Sequence, residues 1–267
     1  MRSLTRISVA PVKGLRLLHP TSVELGPSGI PADRRFLLVG PDRALVGAGE
    51  RPELMQVVAD YDPAAERLRL IFPHGAYVEG PADAVEDGGE VDVWKRRATG
   101  SFVSGPFADA LSAFAGVPIR ILRVADGEGQ DAQPLTIVSS ASVSHLGGLG
   151  GNERLDGRRF RMNLEIDGAT PFEEDTWSGE LVRVGSATIR VLDQVPRCVV
   201  TTLDPDTGRK DFKTLNLIAR HRERIGPRAG LPFGMYAEVV DPGRVTVGDP
   251  VEPVSSAPAS TASAAGP

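Results

Sequence analysis

Turn-forming residues set the tightest limit on what this chain folds into: 30 glycines and 22 prolines stand among 267 residues. Together they make roughly a fifth of the chain, against a usual combined share of about 12%. Glycine weakens the interiors of helices and strands, and proline removes a backbone donor, so regular elements must be short and turns frequent. Short strands meet that condition better than long helices. The apolar runs agree, because residues 4–9, 21–25, 36–39, 54–61, 67–72 and 91–94 are brief, alternating and punctuated by turn residues, the pattern of an antiparallel barrel or sandwich. Over residues 106–115 the large side chains Phe107, Leu111 and Phe114 recur at three or four, which predicts a helix, and a strand follows over 119–124. The polar, glycine-rich stretch 125–133 reads as a surface connection. A domain boundary placed there gives units of residues 1–124 and 125–254.

In the second unit, strands are expected at 135–138, 160–166, 181–184, 188–192, 199–203, 235–240 and 244–247. Helices are expected after Ser139 or Ser140 and over 214–224. Asp204-Pro-Asp-Thr-Gly208 carries turn chemistry, since proline fixes φ and the closing glycine tolerates positive φ. Residues 255–267 contain only Ser, Ala, Pro, Thr and Gly, too few apolar groups to offset ordering entropy, so a disordered tail is expected. The fold class is therefore mainly β with minor helices (α+β), with a barrel-like N-terminal unit.

Several function classes drop out. A net charge of −5 with no dense basic stripe argues against nucleic acid as a partner. Charges interrupt the first ten residues, and no run of 18 apolar residues occurs, so neither secretion nor a membrane span is expected. The single cysteine, Cys198, excludes intrachain disulfides, an all-Cys zinc site and a Cys-ligated iron–sulfur cluster, and suits a reducing cytoplasm. No GxGxxG, GxxxxGK[ST], GxSxG or HExxH pattern is present, and His19, His74, His145 and His221 share no ligand spacing.

What remains is a set of cations around one thiol. Lys13 lies in a Pro-to-Gly turn, where exposed backbone N–H groups and a cation can receive an anion, or where a lysine is simply solvated. Asp33-Arg34 enters a strand, and an inward arginine needs an anionic partner, either Asp33 or a ligand phosphate. Arg159, Arg161 and Asn163 alternate with Phe160 and Met162, placing them on one strand face over an oxyanion or heterocycle, or toward solvent. Cys198 follows Pro196-Arg197, and a neighbouring guanidinium favours the thiolate form that attacks or ligates. A lone cysteine is otherwise a small buried hydrophobe.

Taken in order, Pro11-Val-Lys-Gly14, Asp33-Arg34, Phe160-Arg-Met-Asn163, Glu174-Asp-Thr-Trp177, Pro196-Arg-Cys198 with Thr201-Thr-Leu-Asp-Pro-Asp-Thr-Gly208, and Pro232-Phe-Gly-Met-Tyr236 with Val247-Gly-Asp249 resemble the MOSC (molybdenum cofactor sulfurase C-terminal) family. The likeness covers about residues 1–254, includes the family's N-terminal β-barrel domain, and is strongest to the amidoxime-reducing members and their bacterial relatives. It implies a MOSC β-barrel domain over 125–254 and a molybdenum cofactor (Mo-molybdopterin) whose metal takes the Cys198 thiolate. Catalytic roles then fall to Cys198 and Asn163, and cofactor binding to Lys13, Gly14, Arg34, Arg161, Asn163, Arg197, Cys198 and Tyr236. Gly14 and Pro196 stand where mammalian members carry serines, and Ala132-Gln133 occupies a Thr-Ser position. Neither a pyridoxal-phosphate domain nor a ferredoxin domain is read in the chain. The expected activity is reduction of N-hydroxylated compounds, with a non-catalytic cofactor or sulfur carrier using Cys198 as the alternative. Because no cluster, haem or nucleotide motif is present, an external donor such as a ferredoxin, flavoprotein or cytochrome is the expected partner.

Overall fold

The computed structural model describes residues 1–83, 85–93, 96–223 and 230–254. Its elements run in chain order as β1 (Ser3–Ile7), β2 (Ser22–Leu25), β3 (Phe36–Val39), β4 (Val58–Asp62), β5 (Arg67–Ile71), β6 (Tyr77–Pro81), β7 (Val85–Val93), β8 (Arg96–Val103) and α1 (Phe107–Ala115), then β9 (Arg120–Val124), β10 (Leu135–Ser139), α2 (Ser140–Leu149), β11 (Leu164–Asp167), β12 (Leu181–Val184), β13 (Ala187–Arg197), α3 (Thr214–His221), β14 (Leu231–Asp241), β15 (Gly243–Thr246) and β16 (Val251–Pro253). The expected tail at 255–267, and the end of the helix expected over 214–224, lie outside the described residues.

Seven strands form one sheet in the order β1-β11-β10-β14-β13-β12-β16. Its ends come together: Leu4 N–H donates to Asp249 O at 2.8 Å, and Val251 N–H donates to Arg2 O at 3.0 Å, so the sheet curls into a nearly closed barrel. Closure removes most of the unpaired edge that an open sheet would present. Leu4 and Ile7 both point into this barrel although they are three residues apart, and strand alternation alone would put them on opposite faces. A register shift between Leu4 and Arg6 inserts the extra residue that brings both inward. Around them pack Leu135, Ile137, Leu164, Ile166, Ile189, Val191 and Met235.

The second body is a half-barrel, made of the sheet β3-β9-β8-β7 and the sheet β4-β5-β6. Helix α1 lies against it and buries Phe107, Leu111 and Ala115 on Phe36, Leu38, Leu68, Leu70 and Ile121. Gly116 ends the helix in the left-handed region at φ 67°. Helix α2 begins as expected after Ser139, whose hydroxyl accepts from Ser142 N–H at 3.0 Å. No helix among the described residues is long and apolar enough to cross a membrane.

Two expected strands are something else. Residues 157–160 form a 3₁₀ turn, and Arg161 sits in the left-handed region at φ 53°, so the strand expected over 160–166 begins only at Leu164. The segment expected as a strand over 199–203 is likewise a 3₁₀ turn, Val199–Thr202. Both departures re-aim side chains toward the site described next. Loss of the barrel's first stave should be costly: Leu4→Ala, at a fully packed position, is expected to lower stability by about 2–5 kcal/mol in urea unfolding.

Candidate functional site

Between the barrel and the half-barrel lies a cleft of about 360 Å³. The half-barrel contributes Lys13, Gly14, Arg34, Leu38, Val46 and the loop 47–50, and the barrel contributes Thr136, Arg161, Val195, Arg197, Cys198 and Tyr236. Seven of the eight residues that the sequence assigned to a site therefore line one cleft. The exception is Asn163. It is buried behind the wall, where its Nδ2 donates to Asp33 Oδ2 at 2.9 Å and to Ser8 O at 3.2 Å, and its Oδ1 accepts from Thr136 Oγ1 at 3.0 Å. With its amide committed in this way, Asn163 does not line the cleft, unlike the other residues expected at the site.

The chain segment 10–13 runs beside 34–36: Arg34 N–H donates to Ala10 O at 2.7 Å, Phe36 N–H to Pro11 O at 3.0 Å, and Lys13 N–H to Phe36 O at 2.8 Å. That ladder fixes Lys13 and Arg34 side by side at the cleft floor. Gly14 turns the chain at φ 91°, a conformation in which a side chain is strained. Beneath them Asp33 is buried, and its Oδ1 accepts from Ala10 N–H at 2.8 Å. Its Oδ2 accepts from Asn163, from Gln130 Nε2 at 3.0 Å, and from Arg34 Nη1 in a short ion pair. Asp33 is thus the partner that the inward Arg34 required. Arg34 also donates to Gln130 Oε1 at 3.0 Å and to Arg161 O at 3.2 Å.

Gln130 and the adjacent Asp131 were invisible as site residues in the sequence, where 125–133 read as a surface connection. Gln130 is buried against Asp33, and Asp131 lines the cleft and accepts from Lys13 Nζ at 2.6 Å. The only local signal is Gly129, where an added Cβ would meet Arg34 O at 1.8 Å. That glycine lets the loop press against the floor of the cleft.

The two arginines of the barrel wall differ from the rest. Arg161 donates to Leu15 O at 2.7 Å. Arg197 donates to Phe233 O at 2.7 Å and Phe160 O at 2.9 Å, and touches Met162 Sδ. Among the described residues no carboxylate forms an ion pair with either guanidinium. Burial pushes Arg161 down to about 10, with repulsion from Arg34 adding to it and Asp33, Asp131 and Cys198 opposing. Burial does the same to Arg197, also to about 10, while Tyr236, Cys198 and Asp131 counteract. Tyr236, opposite Thr136 in the β10–β14 register, is raised by burial and by Asp131, so its phenol stays protonated. The cleft partly desolvates Asp131, but contact with Lys13 outweighs this and holds the carboxyl below its ordinary value.

Cys198 is exposed and opens the 3₁₀ turn 199–202, its carbonyl accepting from Thr201 N–H at 3.2 Å and Thr201 Oγ1 at 3.0 Å. Arg159, buried and also lining the cleft, clamps that turn by donating to Thr201 O and Leu203 O, each at 3.2 Å, and by pairing with Asp211. Arg159 and Arg161 both line the cleft but differ in partner, the first paired with Asp211 and the second held by a backbone carbonyl. Asp204-Pro-Asp-Thr-Gly208 forms the expected turn, with Gly208 at φ 72° and Asp204 Oδ1 accepting from Thr207 N–H at 2.8 Å.

An exposed soft donor beside two guanidiniums without carboxylate partners suits a group that carries both an anion and a thiophilic metal. Among the described residues no three His, Cys, Asp or Glu side chains gather to hold a metal, so such a metal would arrive with donors of its own and take Cys198 from the protein.

This architecture is that of a MOSC protein. Residues 1–118 match the MOSC N-terminal beta barrel domain and residues 125–252 the MOSC domain, and the chain belongs to that family, which is associated with molybdenum cofactor binding or sulfuration. It is similar to mitochondrial amidoxime reducing component 2 of Macaca fascicularis, at 27% identity over 283 residues, 93% of this chain and 82% of that protein. The Homo sapiens counterpart is 37% identical over 131 residues, 45% of this chain and 37% of the relative. Molybdenum cofactor sulfurase of Danio rerio is 25% identical over 269 residues, 88% of this chain but 31% of the relative's length.

The lowered arginines set a pH dependence. A base holds its positive charge below its pKa, so binding of inorganic phosphate to the cleft, followed by calorimetry, is expected to persist below about 10 and to be lost as pH rises through that value.

Proposed function

We infer that the cleft holds Mo-molybdopterin and that the chain reduces N-hydroxylated compounds such as hydroxylamines, amidoximes and N-hydroxylated bases. The observation that carries this reading is the exposed Cys198 thiol at the mouth of a cleft whose Arg161 and Arg197 have no carboxylate partner among the described residues. When bound, the cofactor supplies two-electron oxygen-atom chemistry, which no side chain provides. The protein's part is to bind and orient. Lys13, Arg34, Arg161 and Arg197 receive the anionic and heterocyclic parts, Cys198 offers the thiolate, and the Tyr236 phenol, kept protonated by burial, donates a hydrogen bond. In the overall reaction the N–O bond breaks, nitrogen gains N–H, oxygen leaves as water, and two electrons with two protons are consumed.

Those electrons come from outside the chain. A ferredoxin, flavoprotein or cytochrome docking weakly at the cleft mouth fits the usual small electron-transfer interface, below about 1,200 Å². A reducing cytoplasm keeps the exposed Cys198 free for its role. The second reading, a cofactor or sulfur carrier, draws support from the likeness to a molybdenum cofactor sulfurase.

Protein expressed with molybdate in a cofactor-competent host is expected to contain molybdenum and pterin at about one per chain, as required of a site built around one thiolate. Elemental analysis finding neither would remove the enzyme reading. Cys198→Ala is expected to abolish hydroxylamine reduction while circular dichroism and unfolding stay near wild type, since an exposed side chain carries little of the fold. Reduced viologen is expected to drive turnover by the isolated chain, and NADH alone to give none. Metal-free, inert protein that carries a persulfide on Cys198 would favour the carrier.

A further inference from the structure

Two acidic side chains among the described residues line the cleft, and they differ: Glu50 Oε2 accepts from Gly47 N–H at 3.1 Å, whereas Asp131 pairs with a cleft cation. Its Oδ1 accepts from Lys13 Nζ at 2.6 Å, and Arg34 and Arg197 also act on its charge. Asp33, a carboxylate behind the wall, is buried and saturated by four donors. Asp131 differs in both respects: its side chain is 45% exposed while Lys13 is 18% exposed. The loop that carries it cannot drift away, because Gln130 is anchored on Asp33 and Lys13 Nζ also donates to Gly129 O at 2.8 Å. The carboxylate itself is held by nothing comparable and can rotate into water.

We propose that Asp131 is a specificity-determining residue of the cleft, a built-in counterion that any anionic ligand must displace from Lys13. This deepens the reading of the cleft as a cofactor site and rests on it for the identity of the natural ligand, but not for the anion selection itself. An ion pair open to solvent is weak, so a dianion such as a phosphate monoester, which engages Lys13 and the arginines together, displaces it. A monocarboxylate gains nothing, since it replaces one carboxylate with another. The cleft thereby discriminates by charge and leaves Lys13 screened until the right anion arrives. Gln133, which also lines the cleft, carries no charge and cannot act in this way.

The test uses the full chain purified from a host unable to make the pterin cofactor, with inorganic phosphate and acetate as probes in calorimetric titrations near neutral pH. Wild type is expected to bind phosphate and to bind acetate far more weakly. Asp131→Asn should tighten both by about 2- to 5-fold, the range of a solvent-open ion pair, with acetate gaining at least as much as phosphate. In a Lys13→Met background the same substitution should change neither by more than half as much. Unchanged or weaker phosphate binding in Asp131→Asn, or an effect independent of Lys13, overturns the proposal. The outcome is separable from that of the cofactor reading: absence of molybdenum in the chain expressed with molybdate defeats the reductase and leaves the titrations informative. Absence of phosphate binding in wild type and Asp131→Asn alike defeats the counterion role whatever the metal content.

Discussion

One buried carboxylate organises the region between the two bodies. Asp33 accepts hydrogen bonds from the backbone of Ala10, the amides of Asn163 and Gln130, and the guanidinium of Arg34. A charge taken out of water is tolerable only when it is paired and its remaining lone pairs are filled, so each donor is an obligation of the fold. The donors come from four places: the segment entering the cleft, the strand approach that carries Arg34, the loop after β9, and the start of β11. Satisfying Asp33 therefore draws half-barrel, barrel and connecting loop to one point. Arg34 and the 129–131 loop are set before any ligand is considered.

The rest of the cleft follows from what Asp33 leaves over. Arg34 is neutralised by it, whereas Arg161 and Arg197 are held by carbonyl oxygens, which orient a guanidinium without cancelling its charge. Burial of uncancelled cations is unfavourable, as their depressed pKa values record, and an incoming anion relieves that cost. The stacked pair Phe160 and Phe233, with centroids 4.2 Å apart, supports the carbonyls that hold Arg197, so apolar packing fixes the electrostatics.

Local chemistry made part of this visible in the sequence. Strand β12, helix α1, the Ser139 cap and the 204–208 turn are each specified by neighbouring residues, and the thiol and cations at 13, 34, 161, 197 and 198 stand out by type and order, although each also admits a structural reading on its own. The failures have a common cause in backbone conformations and long-range contacts that residue type does not announce. Phe160-Arg-Met-Asn163 alternates like a strand, yet Arg161 adopts positive φ, which breaks the alternation and turns its guanidinium toward the cleft. The apolar run at 91–94 marks only the end of β7, and β8 carries no run at all, its pattern holding Gly100 as β7 holds Gly88 and Gly89. In the structure Gly89 admits the Phe102 ring, and Gly100 lies where a Cβ would strike Arg123 O at 2.1 Å. These glycines are packing requirements within a sheet. Residue type singles out Asn163, but only the fold shows that its amide is buried against Asp33.

The placement of β1 bears on how the chain assembles. Its partners are residues 164–167 on one side and 249–251 on the other, so the first strand made is among the last to be paired. The half-barrel, whose strands pair within residues 36–124, has all its partners available much sooner. Loop-closure entropy makes such distant pairing slower than the local pairing of the half-barrel. The barrel core around Leu4 and Ile7 is complete only when residues 164–167 and 249–251 have both joined β1, so the barrel wall of the cleft depends on contacts more than 150 residues apart in sequence.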